Sequence, residues 1–196
     1  MRSYFFALVA AAALSISLVA HAATLASDTA GPNVTGVSAY SGQSFTVAGT
    51  GTYDDITFNF YTSALAPYAT GTGFLFSSAY SGTPNALSSS DPGYLGSASS
   101  SGGAYSFASS LDLTAGTQYF FYENGLIAAG AISGGAPLAG QGDAFALSAT
   151  GDFLNTSQGG TNFLVTGSAA TPEPSTFALL GTGLLGFAGV LRRRLA

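Results

Sequence analysis

Eight carboxylates carry the ionic chemistry of residues 23–171: Asp28, Asp54, Asp55, Asp91, Asp112, Glu123, Asp143 and Asp152. Nothing in that stretch opposes them. The basic residues of the 196-residue chain are Arg2, Arg192, Arg193 and Arg194, its one histidine is His21, and it has no cysteine. A Ser-His-Asp, Cys-His or Ser-Lys centre therefore lacks its base, and a zinc hydrolase lacks imidazole and thiolate ligands. No glycine-rich phosphate loop stands between a strand and a helix. Nucleic acid is excluded as a partner, because phosphate neutralisation needs the cations that this stretch lacks. No catalytic residue is assigned, and the processed protein is expected not to be an enzyme.

Oxygen-only chemistry remains. Glycoside hydrolysis needs one carboxyl as acid and a second about 5–10 Å away. Glu123, Asp112, Asp54 and Asp55 lie near aromatic runs and are the residues available for it. Scattered acids on a lysine-free domain read better as solvated charges, so a glycosidase is the least favoured alternative. No cofactor is required, and calcium is the more plausible ion, since carboxylates and carbonyls in loops can surround a hard cation. Asp54, Asp55, Asp143 and Asp152 are its expected ligands, although no EF-hand spacing occurs and adjacent strand residues such as Asp54 and Asp55 should face opposite ways. Exposed aromatic rings offer a third kind of contact, stacking on sugar faces. Tyr40, Tyr68, Tyr80 and Tyr94 lie in or near loops and are the carbohydrate-contact residues of that reading, whereas the bulk of the Phe and Tyr content is expected to be core.

Short alternating runs must position these groups. In Ile56-Thr57-Phe58-Asn59-Phe60-Tyr61 the residues Ile56, Phe58 and Phe60 share one face, the mark of a half-buried strand. Further strands are expected at 45–48, 74–77, 105–108, 117–123, 126–132, 144–149 and 162–166, separated by Gly, Ser, Asn, Asp and Pro clusters. The Ser- and Gly-dense segment 88–103 reads as a long surface loop. The fold class that follows is all-β, an antiparallel β-sandwich of jelly-roll or immunoglobulin-like order over residues 23–171. Leu113-Thr114-Ala115-Gly116-Thr117-Gln118-Tyr119 resembles the tyrosine corner of fibronectin type III domains, which implies a Tyr119 hydroxyl bonded to upstream backbone. Without cysteine, packing alone must hold an exported domain together.

The two ends differ in kind from the middle. Arg2, an apolar run to Ala20 and the small-x-small site Ala20-His21-Ala22 form a secretory signal peptide, residues 1–22, to be removed by signal peptidase. Residues 172–196 begin with Pro172-Glu173-Pro174-Ser175, where two prolines keep the backbone extended and accessible. Residues 176–191 carry no charge and, as a helix, would reach about 24 Å, near enough to a ~30 Å hydrocarbon core for arginine snorkelling to close the gap. Arg192, Arg193 and Arg194 then stop transfer and stay cytoplasmic.

This three-part tail resembles the PEP-CTERM sorting signal of Gram-negative bacteria that produce exopolysaccharide. The resemblance rests on Pro172, Glu173 and Pro174, the Gly-rich apolar stretch (Gly181, Gly183, Gly186, Gly189) and the terminal arginines. It implies recognition by a membrane-embedded exosortase, a transient single-pass anchor in the inner membrane, and delivery to the cell surface or beyond. The function expected is that of a non-enzymatic surface or matrix protein associated with exopolysaccharide or biofilm. The alternative is a calcium-dependent or carbohydrate-binding adhesion module.

Overall fold

The computed structural model describes residues 22–29, 33–34, 39–62, 64–127, 133–135, 142–155, 160–169 and 181–183. Residues His21–Ala169 form one compact unit, separate from the terminal segments 1–20 and 170–196. Fifteen strands are described in that unit. In chain order they are β1 (Ala22–Asp28), β2 (Asn33–Val34), β3 (Tyr40–Thr46), β4 (Thr52–Tyr61), β5 (Pro67–Tyr68), β6 (Thr72–Phe76), β7 (Tyr94–Ser101) and β8 (Ala104–Ser106). After these come β9 (Leu113–Thr114), β10 (Gln118–Glu123), β11 (Ser133–Gly135), β12 (Asp143–Ala146), β13 (Leu154–Asn155), β14 (Gly160–Thr161) and β15 (Phe163–Ala169).

Every pairing is antiparallel, and twelve strands form one open sheet in the order β1-β15-β4-β8-β7-β6-β10-β3-β12-β13, with β5 and β9 added on β4. A small second sheet runs β14-β11-β2. Buried Gln43 of β3 ties it to the large one: its Oε1 accepts from the Thr161 amide at 3.1 Å and the Thr161 hydroxyl at 2.7 Å.

The alternation in β4 does what its spacing predicts, burying Ile56, Phe58 and Phe60 on one face. Those rings meet the other half of the sheet. Phe58 stacks on Phe121 of β10 with centroids 3.9 Å apart, and Phe60 meets Phe121 edge-on at 5.5 Å. Leu25, Phe45, Leu75, Phe163 and Val165 complete a core drawn from both halves. At about 25 cal/mol per Å² of apolar surface, such aromatic burial is the main stabilising contribution available to a domain without disulfides. The Tyr119 hydroxyl accepts from the Thr114 amide at 3.0 Å, the contact implied by the tyrosine-corner resemblance.

Two expectations need correction. The segment 88–103 is not a long loop, because its second half is β7, bonded to β6 on one side and β8 on the other. Its Ser and Gly side chains conceal this, since the ladder is made by backbone groups that every residue except proline supplies in full. Nor do Asp54 and Asp55 simply alternate. The β4–β15 register shifts between Thr166 and Ser168, and Asp55 takes φ of 49° there, so an extra residue is absorbed as a bulge. Of the expected strand 126–132 only Leu126 and Ile127 are described, and Ile127 bridges to Ala39. Apart from Ala22, the signal peptide lies outside the described residues. The tail helix is described only at Gly181–Gly183, which are helical. Among the described residues no helix is long and apolar enough to cross a membrane.

Candidate functional site

Strands β3, β6, β10 and β12 turn a second set of side chains away from the core, and these build an aromatic face. Phe74, Phe76, Leu87, Tyr122, Ala144, Ala146 and Phe153 are buried there, with Tyr40, Tyr80, Tyr94 and Phe120 partly exposed against them. Gly42 makes room for the Tyr122 ring: a Cβ at Gly42 would stand 2.6 Å from Tyr122 Cδ1. Tyr80 stacks on Phe76 with centroids 5.7 Å apart, and Tyr94 meets Phe76 edge-on at 6.0 Å. The segment that carries Tyr80 is pinned to the sheet. Its amide donates to the Tyr122 hydroxyl at 2.9 Å, its own hydroxyl donates to the Thr83 carbonyl at 3.0 Å, and the Asn155 side-chain amide donates to its carbonyl at 3.1 Å.

The opposite face of β10 holds a carboxyl. Glu123 is fully enclosed, paired in register with Gly73 of β6 and standing opposite Ser41, one step beyond the Tyr122–Gly42 pair. Gly73 is required by the ring above it, since a Cβ there would come within 2.5 Å of Phe121 and 2.8 Å of Tyr105. Tyr105 thereby brings its hydroxyl 2.5 Å from Glu123 Oε2.

That hydroxyl has one proton and three contacts. It accepts from the Thr70 amide at 2.9 Å and donates to the Thr70 carbonyl at 2.6 Å. That one proton can go to the Thr70 carbonyl or to Glu123 Oε2, so the hydroxyl is a donor shared between the two. Burial pushes the Glu123 carboxyl well above its ordinary range, against a smaller opposing pull from the Tyr105 hydroxyl and the Ser41 backbone. Burial likewise raises Tyr105, and the neighbouring Glu123 raises it further. Glu123 Oε1 and Ser41 Oγ have no hydrogen-bond partner among the described residues.

The expected ligands and contacts distribute unevenly over these features. Tyr40, Tyr80 and Tyr94 come together on the aromatic face, whereas Tyr68 of β5 packs against the main core. Asp54 and Asp55 lie at the β4 bulge, Asp143 is buried on β12 opposite Gln43, and Asp152 is exposed just before Phe153. Among the described residues no three carboxylates converge to hold a metal ion, so the four aspartates expected as calcium ligands do not form one site. Of the acids available for glycoside hydrolysis, Glu123 is enclosed, while Asp112 and Asp55 are exposed. Phe76, Tyr122 and Phe153 were not singled out by sequence reasoning, and the one available signal was the outward parity of Phe74, Phe76, Phe120 and Tyr122 on their strands.

The C-terminal segment supplies the remaining functional feature. Residues 170–194 match the family model of the PEP-CTERM protein-sorting motif. The chain carries a PEP-CTERM motif. It includes Pro172, Glu173, Pro174 and Ser175 and ends on Arg194, and these residues lie outside the described set. A PEP-CTERM motif implies recognition by an exosortase during sorting, and with it export and a C-terminal membrane-anchor signal. No curated protein and no solved structure matches the chain.

Proposed function

We propose that this PEP-CTERM chain is a non-enzymatic surface or matrix protein whose β-domain associates with exopolysaccharide. The observation that carries the reading is the sorting motif attached to a domain that presents partly exposed tyrosines on one aromatic face. In this reading signal peptidase removes residues 1–22, and the tail holds the chain in the inner membrane with Arg192–Arg194 on the cytoplasmic side. An exosortase then delivers residues 23–171 to the cell surface or the surrounding matrix. Stacking of Phe58 on Phe121 supports taking the two halves of the sheet as the layers of a sandwich joined through β7. The non-enzymatic part is supported by the enclosure of Glu123, which leaves it no surface from which to protonate a glycosidic oxygen.

The test is retention of the exported protein, recovered from producing cells, on beads of the host's own exopolysaccharide. Retention above that of an unrelated acidic β-protein is expected; equal retention would remove matrix binding from the proposal.

A further inference from the structure

Tyr80 and Tyr94 stand beside two carboxylates, and the combination narrows the kind of sugar that would fit. Asp91 is fixed next to Tyr94: its Oδ2 accepts from the Ser88 amide at 2.8 Å, and its carbonyl accepts from the Tyr94 amide at 3.2 Å. Asp152 precedes Phe153, whose amide donates to the Gly82 carbonyl at 3.0 Å and whose ring lies 6.2 Å from that of Tyr80. Both acids act on the Tyr80 hydroxyl, which burial raises most and Asp91 and Asp152 raise further. Asp91 thus borders the aromatic platform at Tyr94, and Asp152 borders it at Phe153.

No cation within residues 23–171 can neutralise them, since every Lys, Arg and His of the chain lies outside that stretch. An anionic polysaccharide would meet only like charge at this face. A neutral one would stack but leave both negative charges unbalanced. A sugar bearing protonated amines satisfies the rings and the acids together.

We propose that this face binds an amino-sugar polymer, a polysaccharide with free amines, with Tyr80 and Tyr94 stacking on sugar rings and Asp91 and Asp152 receiving the ammonium groups. The inference rests on the polysaccharide reading above and names its ligand class. The platform is preformed, because the hydrogen bonds of Tyr80 and Asp91 hold both in place without a ligand, which lowers the entropy lost on binding.

The experiment compares retention of the full chain on partially deacetylated chitin, fully acetylated chitin and cellulose at mildly acid pH, where the amines are charged. Preferential retention on the deacetylated polymer is expected. Asp91→Asn with Asp152→Asn should weaken it about tenfold, and Tyr94→Ala by a similar factor. Asparagine at position 91 keeps an acceptor for the Ser88 amide, so the turn is preserved. Asp54→Asn with Asp55→Asn removes the same charge away from the rings and should change retention by less than about twofold. Equal loss in the two double variants would mean attraction by net charge alone and would overturn the site. So would equal retention on all three polymers. Retention on the host polysaccharide without preference for amines would sink this inference and leave the broader reading standing, whereas no retention on any polymer would remove both.

Discussion

Glu123 is the residue whose chemistry depends most on where the fold puts it. In sequence it is one acid among eight and a plausible member of a hydrolytic pair. In the structure it is enclosed beside Tyr105 with no cation in residues 23–171 to balance a charge, and burial favours its protonated form. Its folded-state affinity for the proton exceeds its unfolded one. Stability from this group is therefore fully present below the ordinary carboxyl value of 4.5 and is lost as pH rises from there through the elevated folded value. The loss should approach about 1.4 kcal/mol per pH unit within that window. The groups facing Glu123 are the Tyr105 hydroxyl and Ser41, with Asp143 further across the sheet beyond β3. Urea unfolding across the window should show the slope in the wild type and a flatter one in Glu123→Gln, which keeps the shape and removes the titration. Identical slopes would mean that other acids cause the dependence.

Among the elements, β7 decides the most and announces itself least. Its sequence, Tyr94-Leu95-Gly96-Ser97-Ala98-Ser99-Ser100-Ser101, buries only Ala98 and lacks the β-branched residues that mark a strand. It forms because β6 and β8 both offer backbone partners, and among the described residues it joins the two halves along the path of the large sheet. The Ser100 amide donates to the Gly71 carbonyl at 2.9 Å. Ser100→Pro deletes that donor and leaves the carbonyl unpaired, for an expected loss of about 1–3 kcal/mol in chemical denaturation. Ser99→Thr, which keeps the amide, should stay within about 0.5 kcal/mol. A comparable loss in both variants would place the cost in the serine side chains. By contrast, β4 was legible in advance, because apolar residues at every second position state which face is buried. The bulge at Asp55 was not, since a register shift is set by the partner strand β15 and leaves no mark in the alternation around it.

At the scale of the whole chain, function divides between an address and a domain. The PEP-CTERM motif governs where the protein goes, and replacing Pro172-Glu173-Pro174 by alanines should leave an uncleaved, membrane-retained precursor on an immunoblot of cell fractions. Unchanged processing and release would show that the segment does not act as a sorting signal. The sequence by itself determined that address, because a sorting enzyme reads a short linear segment whose chemistry does not depend on distant residues. It also determined the antiparallel β class, since periodicity is a local property. Tertiary structure alone decided that Tyr40, Tyr80 and Tyr94 share one face while Tyr68 joins the core, that four aspartates stay apart, and that Glu123 is buried with its carboxyl pushed above the ordinary range. Each of these depends on which strands become neighbours. Strand order follows from the packing of the whole sheet and is written in no single segment of it.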